Sequence, residues 1–392
     1  MPTAQRVLAP DLARGFALLL VALAHTAGFV YQNVPGLDHS PHGLERGYSL
    51  VLIVFVHACA MPLFVLMFGY GLVQLVSRQE ALGTPWPVTR GVLVRRHLGM
   101  IAIGAVHGIF LFSGDILGAF GIMALAFSLI LLRRGAKVHR LAIGYVMFAV
   151  VYVGVLAAMS YGGLGGAARP GAGLPTDPSP SQEALTYGAS LVERVTEWPM
   201  TTVIVLPMIL VLWVGAWAAR RRVLEEPARH KRLLLTGAVG GFAMAIAGAA
   251  PFGLLAGGFV TMDADTAPIA RSAYEAAGFF GGIGYACLFG LIGMALSKRA
   301  NRLRDNVVVG SVVALGQRTM SGYLFQSVAW LVLLTPFGLG LGQRLGSPAL
   351  VAVCSAVGVW LVSVAAAYLM HRAGYRGPVE ILLRKFAYRR RT

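Results

Sequence analysis

Residues 9–31 read APDLARGFALLLVALAHTAGFVY. A bilayer core is crossed by about 20 consecutive apolar residues, and this stretch is long enough. It nevertheless carries Asp11, Arg14 and His25. A charged side chain in hydrocarbon costs at least ~2.5 kcal/mol, so such residues face a protein interior or a cavity. Arg14 and His25 are eleven positions apart (25 − 14). At 100° per residue they fall within about 20° of each other, three turns apart. Asp11 lies on the neighbouring part of the same stripe. One face of the helix is therefore polar along roughly 16 Å. Snorkelling to the interface accounts for Arg14, but not for a histidine in mid-helix.

The rest of the chain has the same character. Of 392 residues, 57% are hydrophobic and 12% charged, where a soluble protein would carry about 25% charged residues. The expected fold class is all-α: a polytopic membrane helix bundle. The first segment is too long and too charged for a secretory signal, and no small-residue cleavage site follows it. Apolar segments place ten spans, near 9–31, 48–77, 92–112, 115–133, 139–160, 197–219, 233–257, 270–297, 306–336 and 347–371.

The loops test that count. Arg78, Arg90, Arg95 and Arg96 occupy one loop; Arg133, Arg134, Lys137 and Arg140 the next but one. Arg220, Arg221, Arg222, Arg229, Lys231 and Arg232 follow, then Lys298, Arg299, Arg302 and Arg304, then the tail from Arg372. The intervening loops hold only Arg46, Arg169, Arg194, Arg271 and Arg344. Such alternation is what ten spans with both termini in the cytoplasm give. It also accounts for the net charge of +17 without a nucleic-acid partner. Cys59, Cys287 and Cys354 each sit in an apolar run and read as packing residues, not as a disulfide or metal framework. The chain divides into an N-terminal bundle with the active site (1–160), an external Gly/Pro-rich loop (161–196) and a C-terminal membrane region with a basic tail (197–392). The loop reads as a linker or a lid, its second half EALTYGASLVERV as a short interfacial helix.

Several polar residues compete for a functional role. His25 can act as a base or as part of a proton relay. The first external loop holds Asp38, His39, His42 and Glu45, without a third fixed metal ligand; no metal is expected. Arg95 and Arg96 set topology or pair with phosphates. His107 and Asp115 bracket a short turn. Asp115 fits a helix N-cap, and the two can serve each other across the hairpin. Arg318, with Gln317, Ser321, Tyr323 and Gln326 around it, forms a polar patch at membrane depth that needs partners. Those partners are an acid such as Asp11, or a substrate. Glu380, two residues after Pro378, caps an amphipathic helix or pairs with the basic loops.

DLARGFALL, MPLFVLMFGYGL (61–72), RRHLGMIAIGAVHGIFLFSGDIL (95–117), GQRTMSGYLFQS (316–327) and YRGPVEILLRKFAY (375–388) together resemble the YeiB-like proteins, whose C-terminal part is catalogued as domain of unknown function 418. That family is grouped with transmembrane acyltransferases, including the acyltransferase-3 proteins, which O-acylate cell-surface sugars, and heparan-alpha-glucosaminide N-acetyltransferase. Arg14-x10-His25 is similar to the arginine–ten–histidine pattern of acyltransferase-3 proteins, where the histidine is considered catalytic. YeiB-like proteins more usually carry Asn at the position of His25. Phe68 stands where the acyltransferase pattern has serine. Arg95 and Arg96 match basic residues that the resemblance links to acyl-CoA.

The resemblance thus implies an acyl-CoA-dependent enzyme, with acetyl-CoA the expected donor. Arg14, Arg95 and Arg96 would bind the donor. His25 would react, supported by Arg14 and Asp11. His107, Asp115, Arg318, Tyr323 and Gln326 would face the acceptor. The expected partners are membrane lipid, acyl-CoA and a glycan, lipid or small-molecule acceptor, with a homodimer left open. The expected location is the bacterial plasma membrane. The rival reading is a proton-coupled transporter or exporter, against which no inverted repeat or matching pair of broken helices is evident.

Overall fold

The computed structural model describes residues 8–134, 136–166, 174–298 and 306–388. Arg169, Arg299, Arg302, Arg304 and Arg389 to Arg391, and the side chains of Lys137 and Lys298, lie outside the described residues. The protein is an all-α helical membrane bundle. Its described strands are the two-residue β1 (Asn33–Val34) and β2 (Asp177–Pro178), paired antiparallel.

Among the described residues, eight helical stretches are long and apolar enough to cross a membrane. The first is α1 (Leu8–Tyr31). Next, α2 (Leu44–Val51) runs through a π-helical stretch into α3 (Ala58–Ala81). Then come α4 (Trp86–Phe110) and, after the short α5 (Leu117–Ala126), α6 (Ala136–Gly162). Beyond the small α7 (Pro180–Glu183), α8 (Tyr187–Val205) continues through one 3-10 turn into α9 (Ile209–Arg220). The helices α10 (Lys231–Ala256) and α11 (Ala267–Lys298) follow. Local chemistry sets several starts. Proline occupies the first turn of α4, where its missing N–H has no partner to lose. The Thr186 hydroxyl accepts from the Ala189 amide to begin α8. Because the helix begun at Thr186 runs on without a break to Val205, EALTYGASLVERV is no separate interfacial helix; most of it is the opening of this long span.

Two of the ten expected spans differ from expectation. The fourth is only Leu117–Leu131, about 22 Å at 1.5 Å per residue. Gly104 lies against Gly118 and Asp115, so the 111–116 turn folds back along α4 and α5 begins inside the bundle. The ninth span is two helices, α12 (Val307–Gly316) and α13 (Thr319–Leu333). Gly316 lies against Asp11 and Val312 against Gly15, so α12 runs antiparallel to α1. Gly322 lies against Leu18 and the Gln326 amide reaches the Leu18 carbonyl, so α13 turns back along it. The apex is Gln317–Arg318. A short α14 (Leu341–Arg344), the long α15 (Pro348–Arg372) and the surface helix α16 (Pro378–Ala387) complete the chain.

Loop contacts gather the described turns at two ends. Arg220 donates to the Leu132 carbonyl, Arg95 to Ala387 and Gln79 to the Tyr388 hydroxyl. These basic loops lie at one end. At the other, β1 pairs with β2, Arg46 donates to the Gly257 carbonyl and Arg271 pairs with Asp177. The described part of the 161–196 loop sits there. Ser179, Ser181 and Gln182 are buried, with Gln182 packed over Gly28 of α1 and Ser181 held by Glu197 at 2.9 and 2.5 Å.

Helix packing in lipid relies on close backbone approach at small residues. The α3–α9 crossing is the clearest case. A side chain at Gly69 would overlap the Leu212 carbonyl, and one at Gly215 the Leu66 carbonyl. The main core is built around α1, α3, α9 and α11. A smaller one joins Ala22, Phe29, Phe112, Trp330 and Val351 at the upper part of α1.

Candidate functional site

A cavity of about 860 Å³ opens at the basic end. Its mouth carries the exposed Ser77, Arg78 and Arg222; its depths reach the buried Leu117, Phe120 and Tyr323. Arg14 and Arg96 line it; Arg95 does not. Neighbours on a helix point about 100° apart, and Arg95 turns instead to the Ala387 carbonyl at 2.9 Å.

The acids in the cavity wall face protein donors. Asp11 accepts from Arg14 at 3.1 Å and from Gln317 at 3.1 Å. Glu225 accepts from the Tyr70 hydroxyl and from Gln74 at 2.6 Å. Glu380 accepts from the Met320 and Ser321 amides at 2.9 and 3.2 Å, and so caps α13, not its own helix. Arg14 is further fixed by the Met67 carbonyl at 2.9 Å. Arg96 differs: no carboxylate lies within ion-pair range among the described residues, and its Nε has no hydrogen-bond partner there. A partly buried cation that faces a cavity with no carboxylate in ion-pair range is a ready anion site.

At the floor, the buried Tyr323 ring adjoins two histidines, His25 and His107, which with Asp115 lie behind it and outside the cavity lining. Its centroid is 5.0 Å from that of His107 and 6.1 Å from that of His25. The Tyr323 hydroxyl accepts weakly from the Ile116 amide at 3.4 Å. His107 and Asp115, eight residues apart, meet at 2.7 Å across the folded-back turn, both side chains fully buried. The second Asp115 oxygen accepts from the Gly118 amide at 2.8 Å and from Trp198 Nε1 at 3.4 Å. Asp115 thus caps α5 and orients His107 at once. With Nδ1–H donated to the carboxylate, His107 Nε2 presents a bare lone pair, and it has no partner among the described residues. His25 packs on Phe112, 4.6 Å between centroids.

Gln326 and Arg318 stand apart from the floor. Gln326 donates to the Leu18 carbonyl at 3.3 Å, its oxygen unpartnered among the described residues. Arg318 lies outside the cavity lining and donates to the carbonyls of Ala314, at 3.0 Å, and Tyr375. One acceptor lies at the end of α12 beside the helix break, the other in the turn after α15.

Some participants carry no signal in the sequence. His97 lines the cavity with an unpartnered Nδ1, but reads as one more helix histidine beside two arginines. Trp198, Glu225 and Gln74 reach the site from distant segments. His57, paired with the Tyr274 hydroxyl at 2.6 Å, is outside the cavity lining.

The helices from the end of α9 through α16 carry one further observation. Residues 218–390 match the family described as "Protein of unknown function (DUF418)". This region is similar to DUF418. The matched region supplies Arg222, Glu225, the α12–α13 hairpin with Tyr323, and Glu380, while α1, α3, α4 and α5 supply the rest of the cavity. Along 98% of its length the chain is also 23% identical to "Uncharacterized protein YxaH" of Bacillus subtilis (strain 168), over 95% of that protein. It is 29% identical over 106 residues to "Uncharacterized 39.9 kDa protein in amylase 3'region" of Bacillus acidopullulyticus, covering 27% of this chain and 29% of that one.

Proposed function

We propose that the protein is an integral-membrane acyltransferase of the bacterial plasma membrane, taking an acyl group, acetyl first among candidates, from cytoplasmic acyl-CoA. The observation that carries this reading is the cavity itself. It begins among basic residues, where Arg96 has no ion-pair partner among the described residues, and ends at Tyr323, beside His25 and His107. By the positive-inside rule its mouth faces the cytoplasm, with both termini on that side. The donor's phosphates lie against Arg96 and Arg14, and its pantetheine arm runs toward Tyr323. The acceptor is a hydroxyl or amine of a glycan, lipid or small metabolite.

A histidine nitrogen takes the acceptor proton as the acceptor oxygen or nitrogen bonds to the thioester carbon. The C–S bond then breaks, and the CoA thiolate leaves to collect that proton as a thiol. His25 is the primary candidate. His107, oriented by Asp115, is the second base. His25→Ala is expected to lower acetyl transfer from radiolabelled acetyl-CoA by ~10²–10⁴-fold with unchanged thermal stability; full retained transfer sinks the assignment. Arg96→Ala is expected to weaken acetyl-CoA binding about 10- to 100-fold, the loss of a charge-assisted hydrogen bond, measured by calorimetry on protein in nanodiscs. Equal affinity moves the phosphate site elsewhere.

One observation favours a transporter as second reading. Helix α5 begins inside the bundle and the α12–α13 pair breaks at Gln317–Arg318, and discontinuous helices frame substrate sites in carriers. Proton-coupled solute flux in liposomes lacking acyl-CoA would select it.

A further inference from the structure

The helix α16 lies across α4 at the basic end, with buried Leu383 and Ala387 as its inner line. Leu382 and Phe386, one helical turn apart, are about half exposed, at 56% and 48%. Arg384 and Lys385 are exposed as well. At 100° per residue, Leu382 and Phe386 fall to one side of the buried line and Arg384 to the other. Leu98 of α4, also exposed, extends the apolar side. Apolar residues beside arginine and lysine on a short helix at a bundle end fit a lipid boundary, where acyl chains meet anionic headgroups. The chain continues with Arg389, Arg390 and Arg391, of the same sign.

The inner face of α16 is tied to the cavity. Glu380 lines that cavity and accepts from the first amides of α13 and from the Ser321 hydroxyl. The Val379 amide returns a bond to Ser321 Oγ at 3.1 Å. Three residues after Met320, α13 carries Tyr323 at the cavity floor. A force that seats or lifts α16 therefore acts on the N-terminus of α13.

We infer that α16 is a binding surface for anionic phospholipid headgroups of the surrounding leaflet, and that Glu380 transmits this contact to the start of α13. The inference holds whether the cavity serves acyl transfer or transport. The partner is the lipid surface, by charge complementarity with Arg384 and Lys385 and by the apolar edge beside them.

The test is hydrogen exchange of the full chain in nanodiscs of phosphatidylcholine alone or mixed with phosphatidylglycerol. Amides of 379–387 are expected to exchange more slowly in the anionic membrane, by roughly fivefold for each basic residue engaged, and to lose that difference at high salt. The amides of Met320 and Ser321 follow them. Arg384→Gln with Lys385→Gln removes the response, while unchanged exchange in α10 reports an intact fold. E380Q keeps the response of α16 but uncouples Met320 and Ser321. The inference is overturned by equal exchange in both membranes, by a response that survives the double substitution, or by glycerol phosphate reproducing it in phosphatidylcholine discs. A response in α16 that E380Q still passes to Met320 and Ser321 overturns the coupling.

Discussion

Asp115→Ala lowers the stability of the purified protein by about 3–5 kcal/mol, the cost of removing one partner from a buried charged network. The carboxylate accepts from His107, the Gly118 amide and Trp198. Truncation strands three donors, and each unpaired buried donor costs about 1–3 kcal/mol. It also releases the start of α5, a short helix beginning within the protein. Asp115→Asn keeps one acceptor oxygen, and can still cap Gly118, but no longer fixes which His107 nitrogen carries the proton. It is expected to recover about half of the lost stability while transfer activity stays depressed. Thermal unfolding of both variants in detergent separates the two roles; an unchanged melting temperature in Asp115→Ala would show the network to be energetically idle.

Gly69→Val is expected to prevent recovery of folded protein. Its side chain would enter the Leu212 backbone of α9, and a backbone carbonyl cannot rotate away as a side chain can. Overpacking by a few methylenes costs about 1–3 kcal/mol where side chains can yield; at a backbone crossing the cost is higher. The reciprocal contact at Gly215 against Leu66 makes Gly215→Val equally damaging. Gly47→Ala is the control, since nothing lies within 4 Å of its added carbon and a helical alanine is favoured over glycine by about 1 kcal/mol. Chromatographic monodispersity after extraction reads all three. A monodisperse Gly69→Val protein would mean that α3 and α9 do not cross there.

The span pattern was legible because lipid enforces it. Long apolar runs and alternating basic loops leave few arrangements, and the loops do gather at two ends. Interruptions within spans were not legible. Nothing in LGQRTMSGY announces that Arg318 leaves the helix to bond the Ala314 and Tyr375 carbonyls; that follows from packing against α1. His107 and Asp115 were readable as a pair because a short turn brings chain neighbours together. The contrast between Arg95 and Arg96 was not, since adjacency in sequence hides a difference in helix face. Trp198 and Glu225 join the site only through tertiary contact, for which one sequence holds no spacing rule.

A cavity that reaches Tyr323 from the basic end also has an electrical consequence. Solvent carried to Tyr323 places the cytoplasmic potential deep inside the bundle, so the insulating layer shrinks to what lies between Tyr323 and the far face. A membrane voltage then falls mainly across that layer. Moving one elementary charge across a full potential is worth ~2.3 kcal/mol per 100 mV. A proton passed outward from His25 or His107 would feel much of that field, whereas an anion settling against Arg96 would feel almost none.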